Sequence, residues 1–152
     1  SKEMNIEIYN MWGNYEFQRE KGEQKGKIYL FPAKQFIGEV IDTNEKFRIM
    51  GKINENKLVL VKFPEKDNYL PVYWELREKE KFTYGGNFCF LNLPLDFTKK
   101  MYSNIEEKLK IIKNKTSKNL ASQIKTMISD FVLVANKHAP FAYQGSGKIR
   151  IK

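Results

Sequence analysis

At 152 residues, 41% apolar and 14% aromatic, the chain is too rich in core-forming side chains to be disordered, despite 30% charged residues, and its length fits one domain with a real core. Its single cysteine, Cys89, excludes an intramolecular disulfide and a cysteine-based zinc site. The net charge of +9 is lopsided: residues 1–98 carry 15 Lys/Arg and 15 Asp/Glu, whereas residues 99–152 carry 12 Lys/Arg against Glu106, Glu107 and Asp130.

The opening stretch SKEMNIEIYN is too polar for a signal peptide. No run approaches the roughly 18 apolar residues of a membrane-spanning helix, so no transmembrane segment is expected. A cytoplasmic location is the default expectation. A secreted or periplasmic one stays open, because Ser1 in place of an initiator Met is compatible with removal of a targeting segment. Alternation at Trp12–Gln18 predicts a first strand with Gly13, Tyr15 and Phe17 on one face. A polar turn over Arg19–Lys25 leads to a second strand, Gly26–Phe31, which Pro32 ends.

Three strands follow in quick succession: Phe36–Thr43, Phe47–Ile53 and Lys57–Phe63. In the first two, Phe36, Gly38 and Val40, then Phe47, Ile49, Gly51 and Ile53, share one face, with Glu39, Arg48 and Lys52 on the other. This is the signature of a one-sided antiparallel meander, and it needs a core to cover it. After the turn around Pro64–Asn68, Tyr69–Lys79 alternates again, with Leu70, Val72, Trp74 and Leu76 together, and Phe82–Leu91 makes a further strand. Gly13, Gly26, Gly38 and Gly51 recur at spacings of 13, 12 and 13 residues. Glycines inside strands mark bends or close backbone approach, which a sheet needs in order to curl shut.

Beyond Leu93–Pro94–Leu95 the period changes. Ser103 and Glu106 have the spacing of a capping box, and Ile105, Leu109, Ile112, Thr116, Leu120, Ile124, Met127, Phe131 and Val134 form one helical stripe. Asn114–Ser117 weakens its middle, so either one helix or two are compatible, and Pro140 stops it. Lys148–Lys152 alternates as a closing strand. The expected fold is mainly β: an antiparallel up-and-down barrel of about seven or eight strands over residues 1–98, with a basic amphipathic helical segment and short terminal strand over residues 99–152, packed as one domain.

Residues that carry chemistry are few. No residue is assigned a catalytic role, a metal or a cofactor, so an enzyme is disfavoured. His138, the only histidine, reads as a surface or capping residue, and Cys89 as a buried inert thiol. Asp42, Glu45, Glu39 and Glu75 read as solvated carboxylates, with an acid pair held in the lumen as the alternative. The barrel interior is the leading candidate site. Tyr15, Phe17, Ile28, Leu30, Phe36 and Val40 from the first strands, with Phe47, Ile49, Leu58, Leu60, Phe88 and Phe90, would line an apolar lumen, either filled or holding one small hydrophobic or amphipathic ligand. Lys108, Lys115, Lys118 and Lys125 lie off the helical stripe as a basic face for nucleic acid, an anionic membrane surface or an acidic protein; a Lys-rich soluble surface from an AT-rich genome is the plainer alternative. A third reading interleaves Tyr29, Phe31, Tyr69, Tyr73, Trp74 and Tyr84 with Lys27, Lys34, Arg48, Lys52 and Arg77 as a stacking surface for single-stranded nucleic acid.

The segment Phe36–Phe63, with Gly38, Asp42, Phe47, Gly51 and Leu58–Lys62, resembles the meander of lipocalin-like or avidin-like (calycin-type) barrels, common among bacterial proteins. Trp12–Gly13 is similar to the early Trp that plugs their floor. The likeness covers about residues 12–91 and transfers no individual ligand residue. It implies a barrel that binds a small, mainly apolar ligand.

Overall fold

The computed structural model describes residues 1–12, 24–115, 119–138 and 140–152. Eight strands close into one antiparallel barrel in which each strand pairs with its neighbour in sequence and the last returns to the first. They are β1 (Lys2–Trp12), β2 (Gln24–Leu30), β3 (Gln35–Asp42), β4 (Glu45–Asn54), β5 (Lys57–Pro64), β6 (Val72–Glu80), β7 (Thr83–Leu91) and β8 (Pro140–Ile151). Two helices, α1 (Leu95–Lys113) and α2 (Ala121–Ala135), are inserted between β7 and β8. The expected mainly-β, up-and-down barrel is what the chain forms, and β8 seals it against β1, with Ile149 opposite Ile8.

The first strand differs from the sequence expectation. β1 occupies Lys2–Trp12, where Met4, Ile6 and Ile8 alternate with Glu3, Asn5 and Glu7 and point Ile6 and Ile8 into the barrel. The strand expected at Trp12–Gln18 falls, apart from Trp12, outside the described residues. β3 and β4 are joined by Thr43 and Asn44, whose φ values of 47° and 69° give the left-handed two-residue turn that matches strand twist. Two of the recurring glycines explain the curl. A Cβ on Gly26 would sit 1.8 Å from the Glu39 carbonyl oxygen, and one on Gly51 would sit 2.5 Å from the Phe36 ring. Only glycine allows backbone and ring to approach that closely.

The meander is not one-sided. Its inner face joins the barrel core, built on Phe36, Val40, Ile49, Leu58, Leu60 and Trp74. Its outer face carries Ile37, Met50, Val61 and Phe63, equally buried, under the two helices. Phe63 meets Phe131 of α2 edge-on at 5.9 Å between ring centroids. Burial on both faces explains why β5 reads as a nearly continuous apolar run.

The helical segment also starts earlier than the Ser103 box implies. β7 ends at Leu91, and the Pro94 carbonyl accepts from the Thr98 N–H at 3.0 Å, so α1 begins at Leu95 and Ser103 lies mid-helix and exposed. The buried stripe extends backward through Thr98, Met101 and Tyr102 to Ile105 and Leu109. α2 continues it with Ile124, Met127 and Phe131. Under α1, Arg48 of β4 is buried between Glu106 at 3.3 Å and Glu39 at 3.8 Å, with its guanidinium 5.0 Å from the centroid of the Tyr102 ring. Lys113 reaches Glu39 at 2.7 Å, so the first helix is clamped to β3 and β4 by charge as well as by apolar packing.

Candidate functional site: the barrel mouth

Parity along the strands decides what faces the lumen. On β5, Leu58, Leu60 and Lys62 share the inward face; on β1, Ile6, Ile8 and Asn10 do; on β6, Val72, Trp74 and Leu76. Deep in the barrel these positions are apolar and packed together, with Ile8, Phe36, Leu58 and Leu60 fully buried. At one end the same faces carry Asn10, Gln24, Lys62 and Val72, and the packing opens into a cavity of about 510 Å³. This is the mouth where β1 finishes, β3 turns into β4 and β5 leads into β6.

The floor and one wall are aromatic. Trp74 lies against Phe88 at 4.7 Å between ring centroids, and Phe88 meets Phe90 edge-on at 6.0 Å. Gly147 of β8 makes room for the indole, since a Cβ there would come within 2.9 Å of Trp74 Cη2. Phe47 and Tyr69 form the opposite lip, 6.3 Å apart. The rim adds Asp42, Thr43 and Glu45 from the β3–β4 hairpin, with Glu45 held by Lys66 at 2.8 Å.

Three polar groups in this mouth stand out. Lys62 is only 4% exposed, donates to Gln24 Oε1, and holds its Nζ 4.1 Å from the centre of the Phe47 ring. Burial lowers its pKa to about 8, against the opposing pull of Asp42. Among the described residues, the indole N–H of Trp74, 1% exposed, has no hydrogen-bond partner, and the buried side-chain amide oxygen of Asn10 has none either. An unsatisfied buried donor or acceptor costs about 1–3 kcal/mol.

The sequence-derived lumen residues divide into floor and cavity. Ile28, Phe36, Val40, Ile49, Leu58 and Leu60 are brought together in the buried core, with Leu30 packed against it. Phe47, Phe88 and Phe90 line the cavity. Tyr15 and Phe17 lie outside the described residues. Sequence reasoning missed Asn10, Lys62, Val72 and Trp74 as cavity residues, although their inward parity is visible in each strand. Of the four carboxylates, Asp42 and Glu45 face the mouth, Glu39 is under α1, and Glu75 pairs with Lys57 on the outer wall.

The stacking-surface reading loses its central members. Trp74 and Tyr84 point into the barrel core and Arg48 is covered by α1, so these three are lost to any outer stacking face, and only pairs such as Tyr73 and Arg77 still share one. Lys115, in the turn after α1, and Lys125 of α2 are exposed and Lys108 borders a groove between α1 and α2, whereas Lys118 lies outside the described residues. Cys89 is half-buried on the outer wall, and burial pushes its thiol pKa up. Among the described residues no group of three His, Cys, Asp or Glu side chains is placed to hold a metal ion, and no helix is long and apolar enough to cross a membrane. Compared with known protein families, curated proteins and solved structures, the chain matches none, so the functional conclusion rests on the geometry of the mouth.

Proposed function

We propose that the protein is a binding barrel of the lipocalin-like or avidin-like kind that takes one small amphipathic molecule into its mouth. The observation that carries this reading is the cavity of about 510 Å³ lined by Trp74, Val72, Phe88 and Phe90, with Asn10 and Lys62 as its inward polar side chains. Ligand pockets are typically 300–1,000 Å³, mainly apolar, with a few placed polar groups. The ligand's apolar part packs on Trp74, Val72, Phe88 and Phe90, and its polar part meets Asn10, Lys62 and the rim.

Native mass spectrometry of the full chain purified from its host, before and after denaturation, tests the reading. A reproducible extra mass of a few hundred daltons that is lost on denaturing supports it. A bare chain that also fails to bind a neutral hydrophobic fluorophore refutes it.

A second reading rests on the exposed Lys115 and Lys125, with Lys108 and Lys118, as a contact surface for nucleic acid, an anionic membrane or an acidic protein. It requires salt-sensitive binding that is abolished when these lysines are replaced by Glu.

A further inference from the structure

We propose that Lys62 captures a carbonyl compound, an aldehyde or ketone with an apolar body, as a reversible imine inside the mouth. The inference rests on the binding reading above and names the ligand class for that site.

Three features converge on it. Lys62 is an inward-facing amine on a wall of the cavity, buried between Gln24 and the Phe47 ring instead of reaching water as lysines usually do. Its charge is poorly accommodated there: burial brings its pKa from 10.5 to about 8, opposed by Asp42. At pH 7.5 roughly a quarter of the amine is therefore unprotonated, against about 0.1% for an ordinary lysine, a gain in nucleophile of about 200-fold. The groups facing it from neighbouring elements favour an uncharged guest. Asp42 and Glu45 stand on the rim, Glu45 paired with Lys66, and a carboxylate ligand would meet their negative charge. A carbonyl compound carries no such charge and needs only the free amine.

The step balances without a redox partner. The Nζ lone pair attacks the carbonyl carbon, and the C=O π electrons move to oxygen, which takes up a proton, giving a carbinolamine. The nitrogen lone pair then forms C=N as the C–O bond breaks, and oxygen leaves as water carrying both former amine protons. Asp42, on the same cavity, is the proton carrier between nitrogen and oxygen. The bound state is an imine on Lys62 with the apolar body against Trp74 and Phe88.

The test uses cinnamaldehyde with cyanoborohydride at pH 7.5, followed by intact mass and peptide mapping. The expected result is one adduct, on Lys62, formed at least tenfold faster than at any other lysine and absent in Lys62→Met. Its rate should rise with pH around a midpoint near 8. Label spread over surface lysines, or none at Lys62, overturns the proposal, and this is decided on the unmodified protein whether or not the variant folds. Calorimetry with cinnamyl alcohol, which cannot form an imine, separates the two failures. If the alcohol binds but Lys62 is not labelled, the imine is wrong and the binding mouth stands; if neither occurs, both are wrong.

Discussion

Lys62 and Phe47, on adjacent strands at the barrel mouth, are held cation over ring, with the Nζ 4.1 Å from the ring centre and almost no access to water. Attraction to the ring and to Asp42 does not offset what burial costs the ammonium, and the pKa is lowered to about 8. Between about pH 8 and 10.5 the unfolded chain therefore holds more protons than the folded one, and stability rises with pH across that window. Below pH 8 the full penalty is present, about 3 kcal/mol at 1.36 kcal/mol per pKa unit. Lys62→Met should thus stabilise the protein at pH 7 by about 2 kcal/mol, the loss of the Gln24 hydrogen bond taking back the remainder. The gain should vanish above pH 10.5. Urea unfolding of both proteins at pH 7 and pH 10.5 checks this; an equal difference at the two values contradicts it.

Gly147 and Trp74 make a second coupled pair. A Cβ at Gly147 would lie 2.0 Å from the Tyr9 carbonyl oxygen as well as 2.9 Å from the indole, and a backbone oxygen cannot swing away like a side chain. Gly147→Ala should destabilise by about 3 kcal/mol, because β1 and β8 must part to admit one methyl group. Thermal unfolding should show it as a Tm lowered by roughly 10 °C. A fall of under about 3 °C would mean the seam between these strands is loose.

Arg48 should matter more than its individual charge partners. Its side chain is 9% exposed and touches Glu39, Glu106 and the Tyr102 ring, whereas Glu106 is 37% exposed. Arg48→Ala empties a packed site beneath α1 and leaves Glu106 without its cation, which should cost about 3 kcal/mol. Glu106→Gln keeps the shape and alters a water-screened contact, so it should cost under about 1 kcal/mol. Urea midpoints of the two variants give the ranking directly. Equal losses would make the contact mainly Coulombic.

Local pattern made the barrel legible, because alternation at Phe36–Phe63 and Val72–Leu91 depends only on which face each residue occupies. The strand at Lys2–Trp12 was missed and the start of α1 set too late, each for an identifiable reason. β1 alternates through Met4, Ile6 and Ile8, but Glu3, Asn5 and Glu7 make the stretch read as polar. At α1, the Ser103–Glu106 spacing imitates a helix start although Pro94 and the buried Thr98 show where the stripe begins. The two-sided burial of β3–β5 was hidden because Ile37 and Met50 stand among Glu39, Arg48 and Lys52 on the outer face. The mouth was the least visible. Whether a lumen is filled or hollow depends on how side chains from all eight strands add up, and Lys62 is recognisable as interior only through its register with Leu58 and Leu60.

That register also supplies the sharpest test of where a ligand sits. Val72 lines the cavity two positions from Trp74 on the same face, 9% exposed and facing the opening. Val72→Phe adds bulk into space that is empty, so stability should change by less than about 1 kcal/mol, unlike an enlargement in the packed floor. Binding should respond strongly, because the ring occupies the volume a guest needs. N-phenyl-1-naphthylamine, a neutral fluorophore small enough for about 510 Å³, should bind the unmodified protein with enhanced emission and the variant at least tenfold more weakly. Leu58→Phe, deep in the floor, should do the reverse, costing about 2 kcal/mol in stability while leaving the probe's affinity within a factor of about three in the folded protein. Were Val72→Phe to bind the probe as tightly as the parent, the mouth would not be the binding site, and the groove between α1 and α2 beside Lys108 would be the surface to examine instead.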